Sequence, residues 1–162
     1  MLPSSNPSAH KNTSIDTNIE SPSYRAVIKS LADTKTWLFV PATRIDRVEK
    51  AFASGADAVI VDLEDAVAQA DKAQARAALK AYYAAEHEAQ SYRPFWLRIN
   101  QASSAEFAKD LVLCQQLPKL AGVLLAKAEQ AADIEKVNQE TGLPVIAVIE
   151  NAIGLYRADE IA

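Results

Sequence analysis

From Lys35 onward, short apolar runs alternate with longer amphipathic stretches. The runs are Trp37 to Val40, Ala58 to Val61, Phe95 to Ile99, Gly122 to Leu125 and Val145 to Ile149, and they are nearly continuous rather than alternating. A strand covered on both faces of a parallel sheet needs apolar side chains on both sides, so the runs predict five such strands. The segments between them carry helix signals. Ile45, Val48 and Phe52 fall on one helical face after Thr43, and Gly55 sits where a left-handed C-cap belongs. Asp71 with Gln74, and Ser103 with Glu106, have capping-box spacing, while Gly142 followed by Pro144 ends the next helix. Asn151 to Ala162 reads as a fifth helix.

Successive runs begin about 27 residues apart, close to the ~30 expected when about 250 residues form eight β/α units. The expected fold is α/β, a TIM (β/α)8 barrel. A doubly wound open sheet shares the same local pattern, so periodicity alone leaves both open. Only five units are visible, and five strands do not close an eight-stranded barrel. The chain is therefore expected to be a barrel truncated to about its first five units, occupying residues 34–162. Residues 1–33 form the other expected region. Met1 to about Tyr24 is rich in Ser, Asn, Thr and Pro without a period, which predicts a mobile tail, with a short helix over about Ser23 to Ala32.

Composition narrows the function. Apolar residues make up 49% and charged residues 23% of the 162, the balance of an ordinary globular domain. A net charge of -4 gives no basic surface with which to displace counterions from phosphates, so nucleic acid is not an expected partner. No apolar run approaches the ~20 residues that span a bilayer, and no signal-peptide pattern opens the chain, so no membrane is expected and the location is expected to be cytoplasmic. The lone Cys114 falls at helical spacing with Phe107 and Leu111 and reads as a core residue. His10 lies in the polar tail and His87 on a charged helix, neither with a metal-ligand partner at useful spacing.

In parallel β/α folds, functional residues gather where strands end and helices begin. Strand one ends in Pro41-Ala42-Thr43-Arg44, strand two in Asp62-Leu63-Glu64-Asp65, and strand three in Arg98-Ile99-Asn100. Strand four ends in Lys127-Ala128-Glu129 and strand five in Glu150-Asn151. Every end thus supplies a charge. Arg98 and Glu150 each continue a run that should be buried, where an unpaired charge is costly. They are either site residues or a buried ion pair that holds the barrel together. The four glycines form no Gly-rich loop after a strand, so neither a dinucleotide fingerprint nor a P-loop is present. No nucleophile elbow or Cys/His pair occurs, which argues against acyl-enzyme chemistry. Carboxylates beside Arg and Lys point instead to a hard metal and an anionic substrate.

The runs Trp37-Leu-Phe-Val-Pro-Ala-Thr-Arg44, Gly55-Ala-Asp-Ala-Val-Ile-Val-Asp-Leu-Glu-Asp-Ala-Val67, Leu97-Arg-Ile-Asn100, Leu124-Leu-Ala-Lys-Ala-Glu129 and Pro144-Val-Ile-Ala-Val-Ile-Glu150 together resemble the HpcH/HpaI aldolase and citrate lyase β-subunit family. The resemblance covers about Lys35 to Ala162. It implies a TIM barrel that cleaves or forms C–C bonds in acyl-CoA esters such as citryl-CoA or malyl-CoA, with Mg²⁺. It implies that Arg98 binds the substrate carboxylate and enolate oxygen, and that Glu150 ligates Mg²⁺ and contacts substrate. Arg44 is implied as a substrate-binding residue, and Glu64, Asp65 and Lys127 as catalytic residues of the same pocket.

Two departures lie beside these groups: Ala126 stands where the family usually has Pro, and Asn151 where it has Thr. The family's second Mg²⁺ ligand, an aspartate in a Gly-x-x-Asp-Leu segment after strand six, is not reached. Regions that help hold CoA and complete a homo-oligomer also lie downstream. The expected function is a Mg²⁺-dependent lyase of acyl-CoA esters working through an enolate. The alternatives are a non-catalytic half-barrel that needs another chain to fold, and a CoA-independent aldolase of 2-oxo acids.

Overall fold

The computed structural model describes residues 31–85, 93–118 and 120–162. A 3-10 turn at Leu31–Asp33 leads into strand β1, Trp37–Pro41. A 3-10 segment, Ala42–Arg47, runs into helix α1, Val48–Ala53, and then strand β2, Ala58–Asp62. A second 3-10 turn, Gln69–Asp71, opens helix α2, Lys72–Ala85, before strand β3, Phe95–Ile99. Helix α3, Phe107–Cys114, strand β4, Leu120–Leu125, helix α4, Ala131–Thr141, and strand β5, Val145–Ala147, follow. Two short helices, α5 at Ala152–Tyr156 and α6 at Ala158–Ile161, end the chain.

All five predicted strands form, and every neighbouring pair is parallel. Their spatial order is their order in sequence, β1-β2-β3-β4-β5. A doubly wound sheet reverses its strand order at a switch point; these five strands advance in one direction, as successive staves of a barrel do.

The central strands β2, β3 and β4 bury two faces, which explains their continuous apolar runs. On the helix side, Val59 and Val61 of β2, Phe95, Leu97 and Ile99 of β3, and Val123 and Leu125 of β4 pack with Val48, Leu79, Leu111 and Val137 from the helices. On the opposite, inner side, Ile60, Trp96, Ala121 and Leu124 form a smaller cluster extended by Trp37, Ala58, Ile146 and Val148. Trp96 lies across Gly122, where any Cβ would fall into the indole ring. Trp37 meets Trp96 edge to face at 5.4 Å between centroids.

Local signals differ in how well they survive packing. Gly142 takes φ +67° and closes α4, and Gly55 takes φ +85° just beyond α1, both left-handed as their positions predict. The two capping boxes do not form. α2 begins through the 3-10 turn with no side-chain cap, and α3 starts at Phe107, with Glu106 drawn into ion pairs with Arg76 and Lys109. The predicted fifth helix is two short helices divided at Arg157. Strand β5 stops at Ala147, two residues early, although Val148 N–H still donates to Leu125 O.

Cys114 is buried in the helix-side core as expected, and desolvation pushes its thiol up to about 12. The tail expected over residues 1–33, apart from the turn at Leu31–Asp33, lies outside the described residues, as do the helix expected near Ser23, His10 and His87. No helix among the described residues is long and apolar enough to cross a membrane.

Candidate active site

Side chains alternate along a strand with period two. Ile60 and Trp96 belong to the inner cluster, so the next residues facing that way are Asp62 at the end of β2 and Arg98 near the end of β3. The β2–β3 register sets those two opposite each other. Arg98 Nε donates to Asp62 Oδ1 at 2.8 Å and Nη2 to Oδ2 at 2.6 Å, a bidentate pair whose carboxylate is buried. Its guanidinium also lies 5.2 Å from the Phe39 ring centre and 3.4 Å from Glu64 Oε2. The hydrogen bonds that Arg98 donates to Asp62 hold its pKa above the ordinary value. Asp62 also fixes the turn beyond β2, accepting from Glu64 N–H at 2.8 Å and Ala66 N–H at 3.2 Å.

That turn presents Glu64 and Asp65 to Lys127 from the end of β4. Lys127 Nζ contacts Glu64 Oε1 and lies 3.1 Å from Asp65 Oδ1. The Glu64 hydrogen bond raises the Lys127 pKa, and the Lys127 hydrogen bond lowers that of Asp65. Lys127 N–H donates to Glu150 Oε1 at 3.0 Å, which ties the β4 end to the β5 end. Lys127 is also the non-glycine residue among those described that has positive φ, +48°. An L-residue in that region costs about 1–2 kcal/mol, so contacts on both sides of Lys127 must hold it there. Asn151 caps α5, accepting from Gly154 N–H at 2.8 Å and donating to Glu129 Oε1 at 3.0 Å.

Five of the six residues singled out from sequence therefore meet at one end of the sheet, linked in the order Arg98, Glu64, Lys127, Glu150, with Asp65 beside Lys127. Arg44 is the exception. It sits in the exposed 3-10 segment after β1 and pairs with its neighbour Asp46 through two hydrogen bonds of 2.9 and 2.8 Å. An open recess of about 350 Å³ beside the cluster is lined by Glu64, Asp65, Lys72, Asn100, Ser104 and Lys127, among others.

The alternative of an ion pair is also present, but between other partners: Arg98 pairs with Asp62, not with Glu150. Asp62 is a site residue that the strand-end pattern marks only as one charge among several; its pairing with Arg98 comes from the β2–β3 register. Lys72 and Asn100 buttress the cluster; Asn100 belongs to the strand-three end already noted, whereas Lys72 carries no motif by which to find it.

Among the described residues no group of three His, Cys, Asp or Glu comes together to hold a metal ion. Glu150 offers one exposed carboxylate, while Glu64 and Asp65 are engaged by Lys127. The residues present therefore do not compose a magnesium site by themselves, since that ion favours near-octahedral oxygen coordination.

A parallel β/α sheet with Arg, Lys and carboxylates clustered at its strand ends has the layout of a β/α-barrel enzyme. The chain belongs to the HpcH/HpaI aldolase/citrate lyase family, which matches residues 35–162. It is 35% identical over 131 residues to a citrate lyase subunit beta-like protein of Deinococcus radiodurans, covering 76% of this chain and 45% of that protein. It is 36% identical over 126 residues to a (3S)-malyl-CoA thioesterase of Cereibacter sphaeroides, covering 77% and 43%. The crystal structure of the CitE protein of Mycobacterium tuberculosis in complex with magnesium, acetoacetate and coenzyme A is similar with a TM-score of 0.64 and 39% identity, covering 77% of this chain and 43% of that one. The chain thus spans less than half the length of the curated relatives it matches.

Proposed function

We propose that this chain supplies the first five β/α units of a barrel lyase that makes or breaks a C–C bond in acyl-CoA esters of small carboxylic acids. The observation that carries this reading is the convergence of Arg98, Glu64, Lys127 and Glu150 at one end of the sheet. Cleavage next to a thioester or keto group leaves an enolate, whose developing charge needs fixed positive groups. Arg98 is suited to that task. A guanidinium has five N–H donors, and Asp62 takes two of them, leaving others for a carboxylate or enolate oxygen while fixing the orientation of the plane. Such a contact is worth roughly a hundredfold or more in rate.

Glu64 and Lys127 share close contact and form the pair for holding or moving a proton at the reacting carbon, with Asp65 completing the carboxylate side. Glu150 is proposed as one ligand of the magnesium of the complete protein; the magnesium-bound relative supports that reading. The chemistry assigned to this chain rests on its own side chains. Substrates, homo-oligomer formation and a cytoplasmic location belong to the same proposal for the whole protein.

The experiment compares the 162-residue chain with a version extended through strand eight, on malyl-CoA and citryl-CoA type esters and on pyruvate and oxaloacetate alone. Turnover of the CoA esters by the extended protein is expected. Absence of both lyase and thioesterase activity would overturn the enzyme reading, and turnover of the free oxo acids alone would favour the CoA-independent aldolase.

A further inference from the structure

Lys72 opens α2 and is buried, 6% exposed, although it carries a charge. Its ammonium has three donors, and each meets a neutral acceptor: Leu63 O at 2.8 Å, Glu64 O at 2.9 Å and Asn100 Oδ1 at 2.7 Å. Burying a charge among neutral groups costs more than burying a neutral donor, so the site asks for an explanation. Nothing in the proposed chemistry uses this group directly.

The acceptors supply the explanation. Two are consecutive carbonyls of the turn after β2, the turn that carries the Glu64 side chain; the third belongs to the residue just beyond β3. Asn100 closes the ring by donating from Nδ2 to Leu63 O at 3.2 Å, and it is itself fixed by Asp110, which accepts from its N–H at 3.0 Å and its Nδ2 at 2.6 Å. Arg76 then holds Asp110 at 2.9 Å. The turn is thereby pinned from its backbone side by α2, α3 and the end of β3, while its carboxylate faces Arg98 and Lys127.

We propose that Lys72 is a positioning residue for Glu64: it fixes the backbone at Leu63 and Glu64 so that the Glu64 carboxylate meets Lys127 and Arg98. This rests on the lyase reading for its meaning in catalysis. Its geometric part stands apart from turnover.

The test measures how fast an amine-acetylating reagent modifies Lys127 in the full chain, read peptide by peptide, with the exposed Lys50 and Lys80 as internal references. In Lys72→Met the Glu64 carboxylate is released, and Lys127 should label several-fold faster while Lys50 and Lys80 do not change. Glu64→Gln should raise Lys127 labelling by a similar factor, and the double variant should add nothing further. General loosening of the fold would instead open the buried Cys114 thiol to a thiol reagent as Lys127 labelling rises, and that result overturns the proposal, as does unchanged Lys127 labelling or an additive double variant. Lys72→Gln, which retains amide donors, serves where the Met variant does not fold and should show the same change at smaller size. If neither variant folds, Lys72 is a folding determinant and the positioning role is lost. In the extended protein, Lys72→Met should lower kcat roughly tenfold to a hundredfold with KM little changed. A protein without turnover leaves the labelling result intact, so the two readings fail separately.

Discussion

Arg98 and Asp62 face each other across neighbouring strands, and the cost of separating them shows what the site demands of the fold. Removing one partner of a buried ion pair leaves the other charge without compensation, at about 3–5 kcal/mol. Arg98→Met should therefore lower stability by about that amount in urea unfolding, and Asp62→Asn in the same chain should recover part of it, because the stranded carboxylate is gone. Equal losses from the two substitutions added together would show that the pair is not coupled. This residue-scale picture was only half legible in the sequence. Arg98 and Glu150 stood out because each continues an apolar run, and both do lie at the same end of the sheet. Arg44 looked equivalent, yet β1 ends at Pro41 and the chain turns into a 3-10 segment that leaves the guanidinium against Asp46. Asp62 needed the register of β2 on β3, which no single run contains. Lys72 was unreadable, since a lysine in the first turn of an amphipathic helix has the same signature whether it reaches water or folds back onto the turn after β2.

At the scale of elements, α2 and α3 are clasped by Glu106, which accepts from Arg76, Lys109 and Gln69. Glu106 was expected to cap α3, as its spacing from Ser103 suggested; the nearby cations of α2 and α3 outcompete that local bond. Lys109 first, then Arg76, hold its carboxyl at about 2, below the ordinary 4.5. A carboxyl depressed in the folded state contributes stability that is complete above its unfolded value and is lost as the pH falls toward its folded value. The clasp should therefore support the fold fully at pH 7 and weaken between about 4.5 and about 2. Glu106→Gln should be less stable than the parent at pH 7, and the difference should shrink steadily at pH 3; urea midpoints at the two pH values read this directly. A constant difference would mean that the carboxyl charge does not matter. Strands were more legible than helix starts for the same reason: a run of apolar residues reports burial, whereas a capping pair reports one of several competing bonds.

For the whole molecule, the unidirectional strand order leaves β1 and β5 as the two edges of the sheet among the described residues. The β1 edge is apolar, with Leu38 37% and Phe39 46% exposed, and within Trp37–Pro41 it carries no charged residue. Exposed, uncharged apolar edges are templates for pairing with another chain, and a lysine is the usual means of blocking one. The 162-residue chain should therefore self-associate in a concentration-dependent way in sedimentation velocity, and Leu38→Lys should weaken that association roughly tenfold, about 1.4 kcal/mol. The same substitution tests barrel closure. In a version extended through strand eight, β1 acquires a neighbour on its outer side if the staves continue round as proposed, and Leu38→Lys should then leave the assembly state unchanged while lowering stability. If the substitution weakens association of the extended protein as it does that of the short one, β1 is still an open edge there, and the five parallel strands belong to an open sheet rather than to the first part of a closed barrel.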